Sequence, residues 1–281
     1  DVYKRQVEIP ARAPEKQSPV RVELHLTTEQ QAATRAMDEN CIRDVNLYLY
    51  GDTEYHFYFP SVSSPLVFNV LPGNYRSYAI ANAGQDLGDK NAFKIQFYET
   101  AVDVMESSDA IPMTDRGTLA VDGAGRCTPS SLRVTRSAAK IAYTIEVADA
   151  VAPSLRLRSV QFCNLPLTIR PFDSGSISST VEANYYDGEA MPVGNERRTA
   201  GTAYLFENLQ GSVDTITDQK DKCPENAPAC ATYLRILAER SADKALVEYI
   251  VYPGENNTSD FNVRRNTWHN LELVIRGENE I

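Results

Sequence analysis

Three histidines and five cysteines are the residues from which this chain could build acid-base, nucleophilic or metal chemistry. His25 falls on the polar side of an alternating stretch, between Leu24 and Leu26, which reads as a solvated histidine rather than a ligand. His56 sits in an aromatic run and is expected to face outward, opposite Phe57 and Phe59. His269 shares parity with Leu271 and Leu273 and reads as a hydrogen-bonded histidine at a strand start. No HExxH, GxSxG, P-loop or dinucleotide-binding glycine pattern occurs. Gly123 and Gly125 follow Asp122 with no third glycine opening a helix, so they mark a turn. Asp214, Asp218 and Asp221 match no EF-hand spacing. Trp268, the sole tryptophan, leads into the last strand and is expected in the core, which leaves no tryptophan face for stacking a sugar. No catalytic, cofactor-binding or metal-ligating residue is assigned, and the chain reads as non-enzymatic.

The cysteines stand at Cys41, Cys127, Cys163, Cys223 and Cys230, an odd count that permits at most two internal disulfides. Cys223 and Cys230 flank a six-residue loop holding two prolines, a turn that could bring their thiols together in an oxidising compartment. A zinc site would need a second closely spaced Cys or His pair, and the sequence has none. Cys163, next to Phe162, reads as a small buried apolar residue.

The elements that must carry these residues alternate with a period of two. Val20, Val22, Leu24 and Leu26 interleave with Arg21, Glu23 and His25, the pattern of a half-buried strand. Val45, Leu47 and Leu49 alternate with Asn46, Tyr48 and Tyr50, and Leu66, Phe68 and Val70 with Val67 and Asn69. Further strands are expected at 75–81, 131–135, 141–147, 155–162, 203–206, 232–238, 246–252 and 271–275. Fifteen tyrosines and many β-branched residues favour strands over helices. One short helix is expected near 91–105, while 115–130 reads as a loop and 173–200 as a surface excursion carrying Tyr185 and Tyr186. The fold class is all-β, as two tandem β-sandwiches. Residues 1–19 read as a non-native remnant and linker, 20–149 as the first domain and 150–281 as the second, with the strand at 141–147 compatible with either.

A net charge of -10 with scattered Lys and Arg gives no footprint for a phosphate backbone, so nucleic acid is not an expected partner. No apolar run is long enough to cross a bilayer, which takes about 18 residues, and any export signal is expected to have been removed.

Several segments resemble the fimbrillin superfamily, the subunits of type V pili. In the first half these are 33–36 (ATRA) with 42–49, 71–82 (LPGNYRSYAIAN) and 136–141 (RSAAKI). In the second half, 206–211 (FENLQG), 231–234 (ATYL) and 254–265 (GENNTSDFNVRR) resemble a fimbrillin-like branch known only as a domain of unknown function. The resemblance implies two transthyretin-like sandwiches and secretion as a lipoprotein to the cell surface, outer membrane or fimbrium. It implies assembly with other pilus subunits by β-strand donation, once a protease has cut after an arginine and freed the first strand. Arg35 is the matching position, read either as that cleavage site or as an ordinary exposed loop arginine. The displaced strand would be the one carrying Val20, Val22, Leu24 and Leu26. A tip or accessory subunit is favoured over the shaft. The alternative is an adhesin, a carbohydrate- or protein-binding module for a host or bacterial surface ligand, using tyrosine-bearing loops at 52–60 and 183–198.

Overall fold

The computed structural model describes residues 17–28, 41–62, 64–89, 100–101, 111–172 and 178–281. The first half is built from β1 (Val20–Thr28), β2 (Val45–Tyr50), β3 (Glu54–Phe59), β4 (Leu66–Val70), β5 (Gly73–Ala81), β6 (Met113–Val121) and β7 (Ser131–Arg136). These strands run in the order β3-β2-β5-β6-β7-β1-β4. β5 and β6 pair along their whole lengths, whereas β6 and β7 share only Met113 with Arg136 and Thr114 with Thr135. The sheet folds over at that weak seam, so that β7-β1-β4 closes on the layer formed by the other four strands. The alternating apolar residues of both layers then share one core that includes Leu24, Leu47, Phe68, Leu119 and Val134.

The second half comprises β8 (Ala138–Val147), β9 (Leu155–Cys163), β10 (Arg198–Phe206), β11 (Asn208–Ser212), β12 (Tyr233–Arg240), β13 (Leu246–Val251), β14 (Asp260–Val263) and β15 (Trp268–Ile275). One layer is β10-β8-β15, with β8 antiparallel to β10 and parallel to β15. The facing layer is β9-β12-β13, edged by Met191–Pro192. Their inward residues, among them Ile141, Leu157, Leu205 and Ile236, make the second core. The fold is all-β, two sandwiches in tandem.

Two expectations change, one left open is resolved, and one falls mostly outside the described residues. The strand at 141–147, which the sequence left open to either half, is part of β8, and β8 pairs with β10 and β15 and packs in the second core. The stretch read as a loop from 115 onward begins with strand β6, whose central Asp115, Arg116, Gly117 and Thr118 break the alternation yet pair in full with β5. Trp268 is exposed on the outer face of β15, beside Lys140 of β8, whose ammonium lies 5.7 Å from its ring. The helix expected near 91–105 lies outside the described residues except for Thr100 and Ala101, which pair as extended chain with Ile169 and Thr168.

The outer face of β2 is also not solvated as its alternation predicts. Tyr48, Tyr50 and Tyr78 are covered by Leu87 and by Phe172, which arrives from the second half of the chain and meets Tyr78 edge-on at 5.1 Å. His56 is caught under the same cover: it stacks on Tyr48 at 4.4 Å, bonds to Asn46 Oδ1 at 3.0 Å and is nearly buried. The backbone around Phe172 is clamped from both sides. Thr114 Oγ1 donates to Pro171 O at 3.0 Å, and Arg265 donates to Pro171 O at 2.8 Å and Arg170 O at 2.9 Å while pairing with Glu207.

Candidate assembly groove

Strand β1 is divided along its length between two partners on opposite edges. From Val20 to Leu24 it pairs antiparallel with β4, matching Val20 to Val70 and Leu24 to Leu66. From His25 to Thr28 it pairs parallel with β7, matching His25 to Ser131 and Thr28 to Val134. β4 has no other ladder partner among the described residues. Taking β1 out would therefore strip the pairing from β4 and leave a slot with unsatisfied backbone on both sides and an apolar floor.

The strand's grip on that floor follows its alternation. Val22 and Leu24 are fully buried, Val20 and Leu26 half-buried, and Arg21, Glu23 and His25 exposed. The sequence marks four inward side chains, and the structure buries two of them completely. Those two contribute about 3–6 kcal/mol together as an upper estimate. That is comparable to the whole stability of a small domain, so β1 does not depart spontaneously. The slot's far wall is the aromatic seam where the sheet's edges meet: the rings of Phe57 on β3 and Phe68 on β4 lie 4.9 Å apart.

The side of β1 away from β4 is capped at residues 21–24 by the turn before β7. Asp122 Oδ1 accepts from Ala124 N and Arg126 N, both at 2.9 Å, and this fixes the turn. Hydrogen bonds from the Arg126 backbone and then Ala124, with the Arg126 guanidinium, hold the Asp122 carboxyl below the usual carboxylate range. The turn places Gly125, at φ +80°, against the Arg21 carbonyl. The Cys127 thiol donates to Glu23 O at 3.3 Å, and burial pushes that thiol's pKa up.

Arg35 lies outside the described residues. All five cysteines are free thiols in this structure, Cys223 and Cys230 among them. Asn208 Nδ2 donates to the carbonyl of Cys230 at 2.8 Å and holds that residue in the interior. Cys223 instead meets Asn226 and Glu225 at the loop's exposed edge. Backbone bonds from Asn226 N and Ala227 N to Cys223 O make the turn without a crosslink. Cys163 is fully buried, as its neighbours imply, and burial, with Asp187 nearby, pushes its thiol up to about 11. Tyr55 accepts from Leu71 N at 3.0 Å and Tyr185 donates to Ser179 O at 2.5 Å, so both hydroxyls are engaged within the fold. The tyrosines at 55–58 lie on strand β3 rather than on a loop.

The conspicuous polar residues of the second half do structural work. Glu207 accepts from Arg265, and buried Asn208 bonds Cys230 O and Thr232 Oγ1. Asp260 accepts from Glu255 N at 2.9 Å and from the Asn262 side chain at 2.5 Å, tying the turn into β14. Sequence alone could rank these residues only by resemblance, because nothing local tells a buried asparagine from a surface one.

This arrangement of two tandem sandwiches is the fold of fimbrial proteins. A candidate cell adhesion protein from Bacteroides eggerthii superposes with a TM-score of 0.64 at 12% identity, over 94% of this chain and 88% of its own. A fimbrilin from Porphyromonas gingivalis does so at 0.59 and 14%, over 93% and 92%, and the C-terminally truncated tip fimbrial protein of that species at 0.54 and 12%, over 90% and 94%. More particularly, residues 203–273 match the family model of a domain of unknown function, DUF4906. No curated protein matches the chain.

Proposed function

We propose that this chain is a structural subunit of a bacterial surface pilus, and that it joins its neighbours by exchanging β1 for a strand of another subunit. The observation that carries the reading is the place of β1. The first described strand, with a strict apolar alternation, sits between β4 and β7, two strands that both come later in the chain and neither of which adjoins it in sequence, so its loss opens a strand-shaped groove. A donated strand of the same pattern would restore the backbone pairing and fill the Val22 and Leu24 positions, which is β-augmentation from a covalently separate chain. The fold shared with fimbrial proteins supports this reading, and a tip or accessory position belongs to the same proposal. Export as a lipoprotein to the outer membrane or fimbrium belongs to the same proposal. Activation follows cleavage after Arg35, between β1 and β2.

The test is limited proteolysis with an arginine-specific protease on wild type and Arg35→Ala, followed by sizing and electron microscopy with the native partner subunits. Cleavage at Arg35 followed by ladders or fibres supports the reading. Cleavage elsewhere, or cut protein that stays monomeric with its partners, counts against activation at Arg35. A saturable ligand on a glycan array with no polymer would favour the adhesin instead.

A further inference from the structure

Protection along β1 is not uniform, and the turn between β6 and β7 is what makes it so. Residues 25–28 have β7 on one side, where His25 N donates to Ser130 O at 3.1 Å and Thr27 Oγ1 donates to Leu132 O at 3.3 Å. Residues 20–24 have β4 on one side and, on the other, no ladder partner among the described residues but the turn at 122–127, which runs into the two-residue strand Cys127–Thr128. In an antiparallel ladder alternate residues turn their backbone groups away from the partner, so the Arg21 and Glu23 carbonyls face this turn. Cys127 caps the second of them through its thiol. Gly125 meets the first so closely that a Cβ built on it would stand 2.1 Å from Arg21 O, an overlap with backbone that no side-chain movement relieves.

We infer that the Asp122–Cys127 turn is a clasp that retains the first five residues of β1 and so controls how readily that strand can be exchanged. The clasp's hydrogen bond and its closest approach are both to carbonyl oxygens of β1. The clasp therefore holds any strand in this register, whatever its side chains, and leaves choice of partner to the apolar positions of Val22 and Leu24. Release starts from the other end, at 25–28, where β1 has a single partner strand. The functional meaning of the clasp rests on the exchange reading above, whereas its physical existence does not.

Hydrogen exchange followed by mass spectrometry on the full chain tests it. Gly125→Ala should raise exchange of peptides covering 20–28 tenfold or more, with those of β2 and β5 unchanged. Gly88→Ala is the matched control, since Gly88 has φ +69° and nothing within 4 Å of a built Cβ: the same backbone strain with no overlap. It should leave β1 at the wild-type rate. Cys127→Ala, which adds no strain, should raise β1 exchange several-fold and decides the matter should Gly125→Ala fail to fold. Wild-type exchange of β1 in Cys127→Ala and in a folded Gly125→Ala overturns the inference, as does a rise shared equally by β2 and β5. Because the readout is made on the isolated chain, a negative result leaves pilus assembly standing, and a chain that never polymerises leaves the clasp standing.

Discussion

At the residue scale, buried polar groups fix the second sandwich, and their energetics can be tested singly. Asn208 is fully buried and bonds Cys230 O and Thr232 Oγ1 while accepting from Gln210 at 2.9 Å. Asn208→Ala orphans these partners and should cost about 1–3 kcal/mol or more in urea unfolding. Lys222 is buried over the ring of Phe261, with its ammonium donating to Asn256 O at 2.8 Å. Burial pulls its pKa down to about 8, against the attraction of Asp260. The folded pKa is thus below the unfolded value of about 10.4, and between the two the unfolded chain binds the extra proton. Stability from this group should rise as pH goes from about 8 toward 10, and below 8 its full desolvation cost is present. Tyr185, Tyr233, Tyr249 and Tyr252, pushed up to about 12 chiefly by burial, oppose this only above pH 10, where their folded forms keep protons the unfolded chain has lost. The buried thiols of Cys127, Cys163 and Cys230, which burial pushes up, oppose it from about pH 8.5 and do so equally in both proteins, so the change in urea midpoint from pH 7.5 to 9.5 should be more positive in wild type than in Lys222→Met.

At the element scale, β1 is the strand on which the proposed function turns. Leu24→Ala removes a fully buried side chain and should cost the first sandwich about 2–5 kcal/mol by urea unfolding. An equal truncation at half-buried Leu26 should cost distinctly less. The alternation that marks β1 was plain in the sequence, because one face of it meets the core and the other meets water. β2 misled for the converse reason: its polar-looking face, with Tyr48 and Tyr50, is covered by Leu87 and Phe172, and a pattern confined to six residues cannot register a cover arriving from more than a hundred residues away. β6 was hidden by Asp115 to Thr118, whose place in the sheet is set by backbone pairing with β5 and not by side-chain burial. Trp268 went to the exposed face because its parity is that of Asn270 and Glu272, which local propensity does not weigh against size. From the residues alone the slot was legible as a strand; as a site it entered only through the family resemblance, since only topology shows that β4 and β7 lie on either side of it.

At the scale of the whole molecule, the two sandwiches are joined by the plug of Phe172 against Tyr78 and by Arg265 holding the carbonyls of Arg170 and Pro171. Glu207, which pairs with Arg265, lies with it in the segment matched by the DUF4906 model, so that segment carries the brace between the halves. Phe172→Ala should split a single calorimetric unfolding transition into two, because the halves lose their shared apolar contact while each keeps its own core. Under the proposed function the brace also bears on assembly: a subunit that passed tension along a fibre would need its two domains to move together while one strand was traded. Everything in that picture depends on β1 being replaceable by a separate strand. The most direct measurement uses protein cut between β1 and β2, from which the strand has been removed, and a synthetic peptide spanning 18–28. Saturable binding that restores the thermal midpoint of the intact chain, and that is lost when the peptide carries Val22→Asp and Leu24→Asp, is the result this account predicts. Protein that keeps its full stability after losing β1, or that binds the two peptides alike, would contradict it.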